Sequence, residues 1–427
     1  MNVNFKQSNQ LFNKSSAPGS ESGWHVNPIA GTENLYHRIP RGTERGSIQA
    51  RWDTLSVSND TRQEIADTES LSRNKTYRRN IENYIGTVKV PVGIAGPLRV
   101  NGAFAQGDYY VPLATTEAAL VASYNRGSRV ISKAGGCTAI LLNEGVSRAP
   151  GFVFKSLSQA ALFVTWGLSR VEEFKRVAEA TSRFCKLINM KHSIEGNHVY
   201  LNFEFFTEDA SGQNMVTIAT ETICNYISHH SPVQPVRWYV ETNFSGDKKA
   251  SSQSFQTVRG RKVAAEAVIP KELVEKNLHT TSDQIARYCQ ISTIGGVLSG
   301  TIGIQGHYAN SLAALYLACG QDVACVAESA VGVTRFESIE GGDLYASATL
   351  PNLMVATVGG GTGLPSQKAC LEILGLSGPG KAHAFAEVAA GLCLAGEISI
   401  AAAISAGEFT QAHKQLARGN PDLGEGR

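Results

Sequence analysis

The 427-residue sequence lacks most of the short signatures that settle a protein's class at once. Its eight cysteines (Cys137, Cys185, Cys224, Cys289, Cys319, Cys325, Cys370 and Cys393) include no CxxC pair, and its ten histidines include no HExxH. Sequence-local zinc ligands are therefore excluded, no metal is expected, and the thiols read as reduced core residues. No GxGxxG follows a strand and opens a helix, so a Rossmann nucleotide site is not supported. The net charge of +2 gives neither a nucleic-acid surface nor an acidic tail. No apolar run opens the chain, so no secretory signal is expected. The most apolar stretch, 384–406, carries Glu387 and Glu397. A membrane span needs roughly 20 largely uncharged apolar residues, so this stretch reads as a buried helix in a soluble, cytoplasmic protein.

What is present is the balance of a large globular interior, with 42% hydrophobic and 18% charged residues. The length calls for two or three domains. Residues 1–50 are rich in Asn, Ser, Gly and Arg and read as a flexible arm, one that could dock on a partner subunit. Val88, Val90 and Val92 alternate as in a strand, beside Pro91, Gly93, Gly96 and Pro97. Thr115 or Thr116 is placed to cap a helix over 118–124 that stops at Gly135-Gly136.

A strand at 151–155, a helix over 158–184, a hairpin of 187–194 and 198–206 across the 195–197 turn, a helix over 212–229 and a strand at 236–240 follow. The order β-α-β-β-α-β is the ferredoxin-like arrangement. The expected fold is α+β: a large helix-rich domain (51–149 and 239–427) with a long central helix, and an inserted ferredoxin-like domain at 150–238. Ala-rich helices are expected at 282–298, 307–319 and 382–406.

Several segments together resemble the hydroxymethylglutaryl-coenzyme A reductase family, especially the class that uses NADPH. They are ENYIGTVKVPVGIAGPL (82–98), PLATTEAALVASYNRG (112–127), SRF (182–184), DASGQNM (209–215), SGDKKAS (245–251), ACGQD (318–322), ATVGGGTGLPSQKACLEILG (356–375) and AGEISIAAAISAGEFTQAH (395–413). Taken singly, each has an ordinary explanation as a cap, a turn or a solvated charge; in combination they point to one chemistry.

The resemblance implies a four-electron reduction of an acyl-CoA thioester, with Lys248 as the cation at the carbonyl oxygen and Glu117 as the acid. Asp322 would hydrogen-bond both, and His413 would protonate the departing thiolate. It implies NADPH as cofactor, with Ser182 and Arg183 at the 2′-phosphate, Asp209, Asn214, Gly359, Gly360 and Gly361 at the nicotinamide and pyrophosphate, and Phe184, Met215 and Thr362 also binding the cofactor. Lys155, Ser245, Asp247, Lys249, His307 and Asn310 would contact substrate. It further implies a homodimer or larger assembly with active sites at the subunit interface.

The chain departs from the family pattern at several places. DAMGMNM becomes DASGQNM, with Ser211 and Gln213 in place of two methionines. After GQD the family's AQN gives way to Val323-Ala324-Cys325, and Leu416-Ala417 replace a His-Asn pair before Arg418. The arginine expected after the first strand of the inserted domain falls at Lys155, and an expected lysine falls near Ile291 or Ser292. An exchange of Arg for Lys is not conservative at a bidentate carboxylate site, so a changed acyl pocket is expected, opening the alternatives of another acyl thioester or a binding protein without turnover.

Overall fold

The computed structural model describes residues 41–410. His413, Leu416, Ala417 and Arg418, with most of the 1–50 arm, lie outside the described residues. Contacts divide the chain into two units, 1–87 and 88–427.

In the first unit four short helices follow one another: α1 (Arg45–Asp53), α2 (Asn59–Ile65), α3 (Thr68–Ser72) and α4 (Asn74–Tyr77). Ser58 and Asp67 cap α2 and α3 by accepting from the amides of Thr61 and Ser70, satisfying donors that a helix start leaves free. Ile48, Trp52, Ala66 and Tyr84 form a small core of their own, with the Trp52 indole N–H donating to the Ile85 carbonyl at 3.0 Å.

The second unit is built on strands β1 (Val92–Gly102), β2 (Gln106–Ala114), β3 (Cys137–Arg148), β4 (Gly151–Val153), β5 (Lys186–Glu195), β6 (His198–Phe206), β7 (Arg237–Tyr239), β8 (Gly260–Ile269), β9 (Val333–Ser338) and β10 (Leu344–Leu353). Its helices are α5 (Leu120–Lys133), α6 (Leu157–Leu168), α7 (Val171–Glu179), α8 (Gln213–His230), α9 (Lys271–Leu278), α10 (Ser282–Ser299), α11 (Tyr308–Ala318), α12 (Val326–Ser329), α13 (Pro365–Ile373) and α14 (Ala382–Ser405).

Strand β3 does two jobs. Thr138 to Gly145 pair antiparallel with β8, and the last three residues, Val146 to Arg148, pair with β6. The chain thus passes from a sheet ordered β3-β8-β10-β9 into one ordered β7-β4-β6-β5. Phe152, Phe163, Phe174, Phe203 and Phe205 fill the space beneath the second sheet, all buried. The hairpin falls within one residue of its sequence reading. The helix expected over 158–184 instead breaks into α6 and α7: the chain turns at Ser169, whose hydroxyl donates to the Trp166 carbonyl. The strand expected over 88–92 starts only at Val92, because Pro91 has no N–H for a ladder.

Helix α14 runs through the core with 20 of its 24 residues buried. Among the described residues it alone has the length and composition to cross a membrane, and 83% of its apolar window is buried inside the protein. Its two acids explain their own presence. Glu387 accepts from the amides of Ala103, Phe104 and Ala105, holding the β1–β2 turn. Glu397 accepts from the amides of Gly306 and His307, the His307 ring and the Thr334 hydroxyl. A buried carboxylate is tolerated when its lone pairs are this well used. Helix α5 lies close against α14 because position 127 is glycine: a Cβ there would come within 1.9 Å of the Ala395 carbonyl oxygen.

Candidate active site

Lys248 sits on the loop after β7, and its backbone adopts φ 57°, a left-handed conformation that L side chains rarely take. Such strain costs roughly 1 kcal/mol or more and is retained mainly where a site requires it. Its Nζ lies 2.9 Å from Asp322 Oδ2. Asp322 follows the turn at Gly320, whose backbone packs on that of Gly361 so closely that neither position has room for a Cβ. Buried Gln321 ties the turn down through the Cys319 and Ala356 carbonyls and the Ala356 amide. Burial pushes the Asp322 carboxyl up; the Lys248 ammonium outweighs it by hydrogen bond and charge, helped by the Ala324 and Gln213 amides. The carboxyl is held below its ordinary range. The bond to Asp322 in turn raises the lysine, against desolvation.

The helix expected from 118 with a threonine cap begins two residues later: α5 starts at Leu120, Ala119 takes φ 69° ahead of it, and no side chain caps that start, which leaves Glu117 on the loop before it. Thr115 instead accepts from the Glu117 amide at 3.0 Å. The Glu117 carboxylate accepts from Asn310 Nδ2 at 3.3 Å. Glu117, Asn310 and His307 line a cavity of about 350 Å³ with Tyr124, Ile400 and Phe409. The Tyr124 ring stacks on the His307 imidazole at 5.3 Å, and Glu397 holds His307 Nδ1 at 3.0 Å. A neutral His307 therefore carries its proton on Nδ1 and turns Nε2 away from that carboxylate. Among the described residues, no hydrogen bond or ion pair joins the Glu117 cluster to the Lys248–Asp322 pair; the expected bond between Glu117 and Asp322 is not made within the chain.

The loop bearing Lys248 is anchored by a buried ion network that the sequence did not show. Arg148, ending β3, lies 3.0 Å from Asp247 and 3.1 Å from Glu241. Arg259 approaches Asp247 at 2.7 Å and Glu328 at 2.6 Å, and Glu328 is fully buried. Ser245 donates to Glu241, and Lys249 Nζ donates to the Asp247 carbonyl. Asp247 and Ser245 thus hold the loop in shape.

Lys155 is not in this assembly. It is exposed beyond β4, where its backbone amide donates to Gln159. The cation beside the loop is Arg148, which the SRAP turn in the sequence (147–150) carries one strand earlier than expected. Accordingly, Arg148→Met should lower kcat/KM by roughly tenfold or more, the cost of stripping a charge-assisted partner from a buried pair. Lys155→Met should stay within about twofold in the same steady-state assay, as surface changes usually do. Ile291, near the expected lysine, projects 73% exposed from α10.

Of the residues expected to hold the cofactor, Ser182 accepts from the Phe184 amide, and the Arg183 guanidinium lies 4.5 Å above the Phe184 ring, exposed. Asp209 accepts from the amides of Gly380 and Ala382 at the start of α14, a helix-capping use of its carboxylate. Asn214 is exposed and Met215 half-buried on α8. Gly359 and Gly360 have positive φ and open space on their Cβ side, while Thr362 is buried and donates to the Gly359 carbonyl. Among the described residues, no cluster of His, Cys, Asp and Glu suits a metal ion.

The sequence profile of hydroxymethylglutaryl-coenzyme A reductase matches residues 47–418. A 3-hydroxy-3-methylglutaryl-coenzyme A reductase from Pyrococcus horikoshii is 44% identical over 359 residues, covering 82% of this chain and 86% of that protein. The enzyme of the same name from Methanocaldococcus jannaschii is 42% identical over 356 residues, covering 82% and 87%. In fold, the chain is similar to a class II 3-hydroxy-3-methylglutaryl-CoA reductase from Streptococcus pneumoniae solved with NADPH in open conformations. That likeness has a TM-score of 0.63 at 20% identity, over 84% of this chain and 96% of the other. By the profile match and by the identity to these relatives, the chain belongs to the hydroxymethylglutaryl-coenzyme A reductase family.

Proposed function

We propose that this chain reduces hydroxymethylglutaryl-CoA to mevalonate and free coenzyme A at the expense of two NADPH. The observation that carries the reading is the Lys248–Asp322 pair at 2.9 Å on a strained, ion-locked loop. Reducing a thioester to an alcohol passes through a hemithioacetal and an aldehyde, and negative charge builds on the carbonyl oxygen at both hydride transfers. A fixed ammonium is worth most where that charge develops. Asp322 keeps Lys248 charged and aimed, and Glu117 supplies protons. A departing thiol has pKa about 8.5, so an imidazolium suits its protonation; His413 is the residue assigned to that step.

NADPH, when bound, supplies the hydride at each stage. The residues present fit it: Ser182 and Arg183 offer a hydroxyl and an exposed guanidinium to a 2′-phosphate, and Gly359-Gly360 leave the backbone open to a pyrophosphate. The cavity at Glu117, His307 and Asn310 receives the acyl group. An adjoining cavity of about 270 Å³, lined by Arg126, Arg129 and Lys133 on one face of α5, suits the phosphates of coenzyme A.

The strand order β7-β4-β6-β5 supports reading 150–238 as an inserted ferredoxin-like domain that holds the cofactor, set between 88–149 and 239–427. The separation of the Glu117 cluster from the Lys248 pair supports a homodimer in which each site takes one cluster from each subunit. Ile291, Ile294, Val297 and Leu298 form an apolar, 61–82% exposed face on α10 that a second subunit would cover.

A second reading, reduction of a different acyl thioester, is favoured by one observation: an apolar Ile291 where the family pattern expects a lysine. One assay tests both. Purified protein is expected to consume two NADPH per hydroxymethylglutaryl-CoA, releasing one thiol and mevalonate. Turnover confined to other acyl thioesters moves the protein to the second reading, and no turnover with any thioester defeats both.

A further inference from the structure

Two departures from the family pattern, far apart in sequence, meet in the structure. Gln213 opens α8 and stands where the family's DAMGMNM has methionine. Cys325 lies in the Val323-Ala324-Cys325 segment that replaces AQN. The Gln213 side-chain nitrogen lies 3.2 Å from Cys325 Sγ and 3.2 Å from Asp322 Oδ2. That same oxygen receives Lys248 Nζ, while Oδ1 receives the Ala324 amide. The carboxylate fixes which way the amide points, because only its nitrogen can donate. Cys325 is buried, Gln213 half-buried and Asp322 exposed, so the glutamine amide is sheltered on its Cys325 side and meets the carboxylate at the surface.

We propose that Gln213 is a positioning residue for the reduction: its amide holds the Asp322 carboxylate toward Lys248. The amide is supplied from α8 instead of from the segment after GQD, where the family pattern carries amides and this chain has Cys325. This rests on the reading of Lys248 and Asp322 as catalytic. A methionine at 213 cannot donate, and with Cys325 opposite it no side-chain amide would remain beside Asp322. Oδ1 would keep the Ala324 amide, but Oδ2 would be left with Lys248 as its one donor, and the carboxylate could swing about the Ala324 bond, carrying Lys248 off the developing oxyanion. Because the lost interaction matters in the transition state, kcat should fall while substrate binding is spared. Gln213 also ties the 209–215 segment, the reading's nicotinamide side, to the lysine that meets the carbonyl oxygen.

The test compares full-length wild type, Gln213→Met, the double variant Gln213→Met with Cys325→Gln, and Lys248→Ala. It measures kcat and KM for NADPH and acyl-CoA, with melting temperature as the check on folding. Gln213→Met is expected to lose roughly tenfold in kcat, the scale of one hydrogen bond to a charged group, with both KM values within about twofold of wild type. Returning an amide from the other side, in the double variant, should recover most of that loss. The proposal is overturned if Gln213→Met keeps wild-type kcat, if its loss appears in the NADPH KM instead, or if the double variant fails to recover while melting like wild type. Should Lys248→Ala itself retain turnover, the underlying reading falls and not this contact alone.

Discussion

Lys248→Ala should reduce kcat by roughly a thousandfold, the upper range for removing one donor from an oxyanion site, while leaving KM for both substrates nearly unchanged. The side chain is held by Asp322, the backbone by a left-handed turn, and the loop by Arg148, Arg259, Glu241 and Glu328. Such bracing places one cation with little freedom to follow a ground-state substrate, so its contribution should fall on the transition state.

The pair also sets a pH window. Asp322 is depressed, so what it adds to stability is present above the ordinary carboxylate pKa and is lost as pH falls through its folded value. Lys248 is raised, so its contribution is full below the ordinary lysine pKa and is lost as pH climbs through its folded value. Between those limits the ion pair is intact. Both groups are more than one-third exposed, so solvent screens the pair.

How much of this could be read from the sequence follows from how local each feature is. The hairpin of β5 and β6 was legible because its alternation and its Glu195-Gly196-Asn197 turn lie within 20 residues of each other. Helix α14 was legible for the same reason, and its two acids foretold a helix buried in protein and not lipid. The DKK and GQD segments could be named as partners only through the family resemblance, since composition puts no lysine beside an aspartate 74 residues later. The Arg148–Asp247–Arg259–Glu328 network was invisible: its members pair across separations of 99 and 69 residues, and each alone looks like a surface charge. Lys155, expected at the substrate, lies exposed beyond β4 and outside the Arg148 network, and local spacing carries no sign of which strand end meets the Lys248 loop. Asp209 and Ser245 show the converse. Their positions match binding motifs, yet in the structure their side chains cap a helix and brace a loop.

Glu117 and Lys248 belong to two separate clusters, and among the described residues no bond joins them. In the proposed homodimer the working site would lie between subunits, one half from each chain. The direct test is complementation between Glu117→Gln and Lys248→Ala chains, each close to inactive alone, co-expressed with different tags and purified together. Random pairing in a two-fold dimer makes half the dimers mixed, each with one site built from two intact halves, so about a quarter of wild-type activity should return. If the mixed dimers show no more activity than the sum of the two single variants, each site lies within one chain and the shared-site account is wrong.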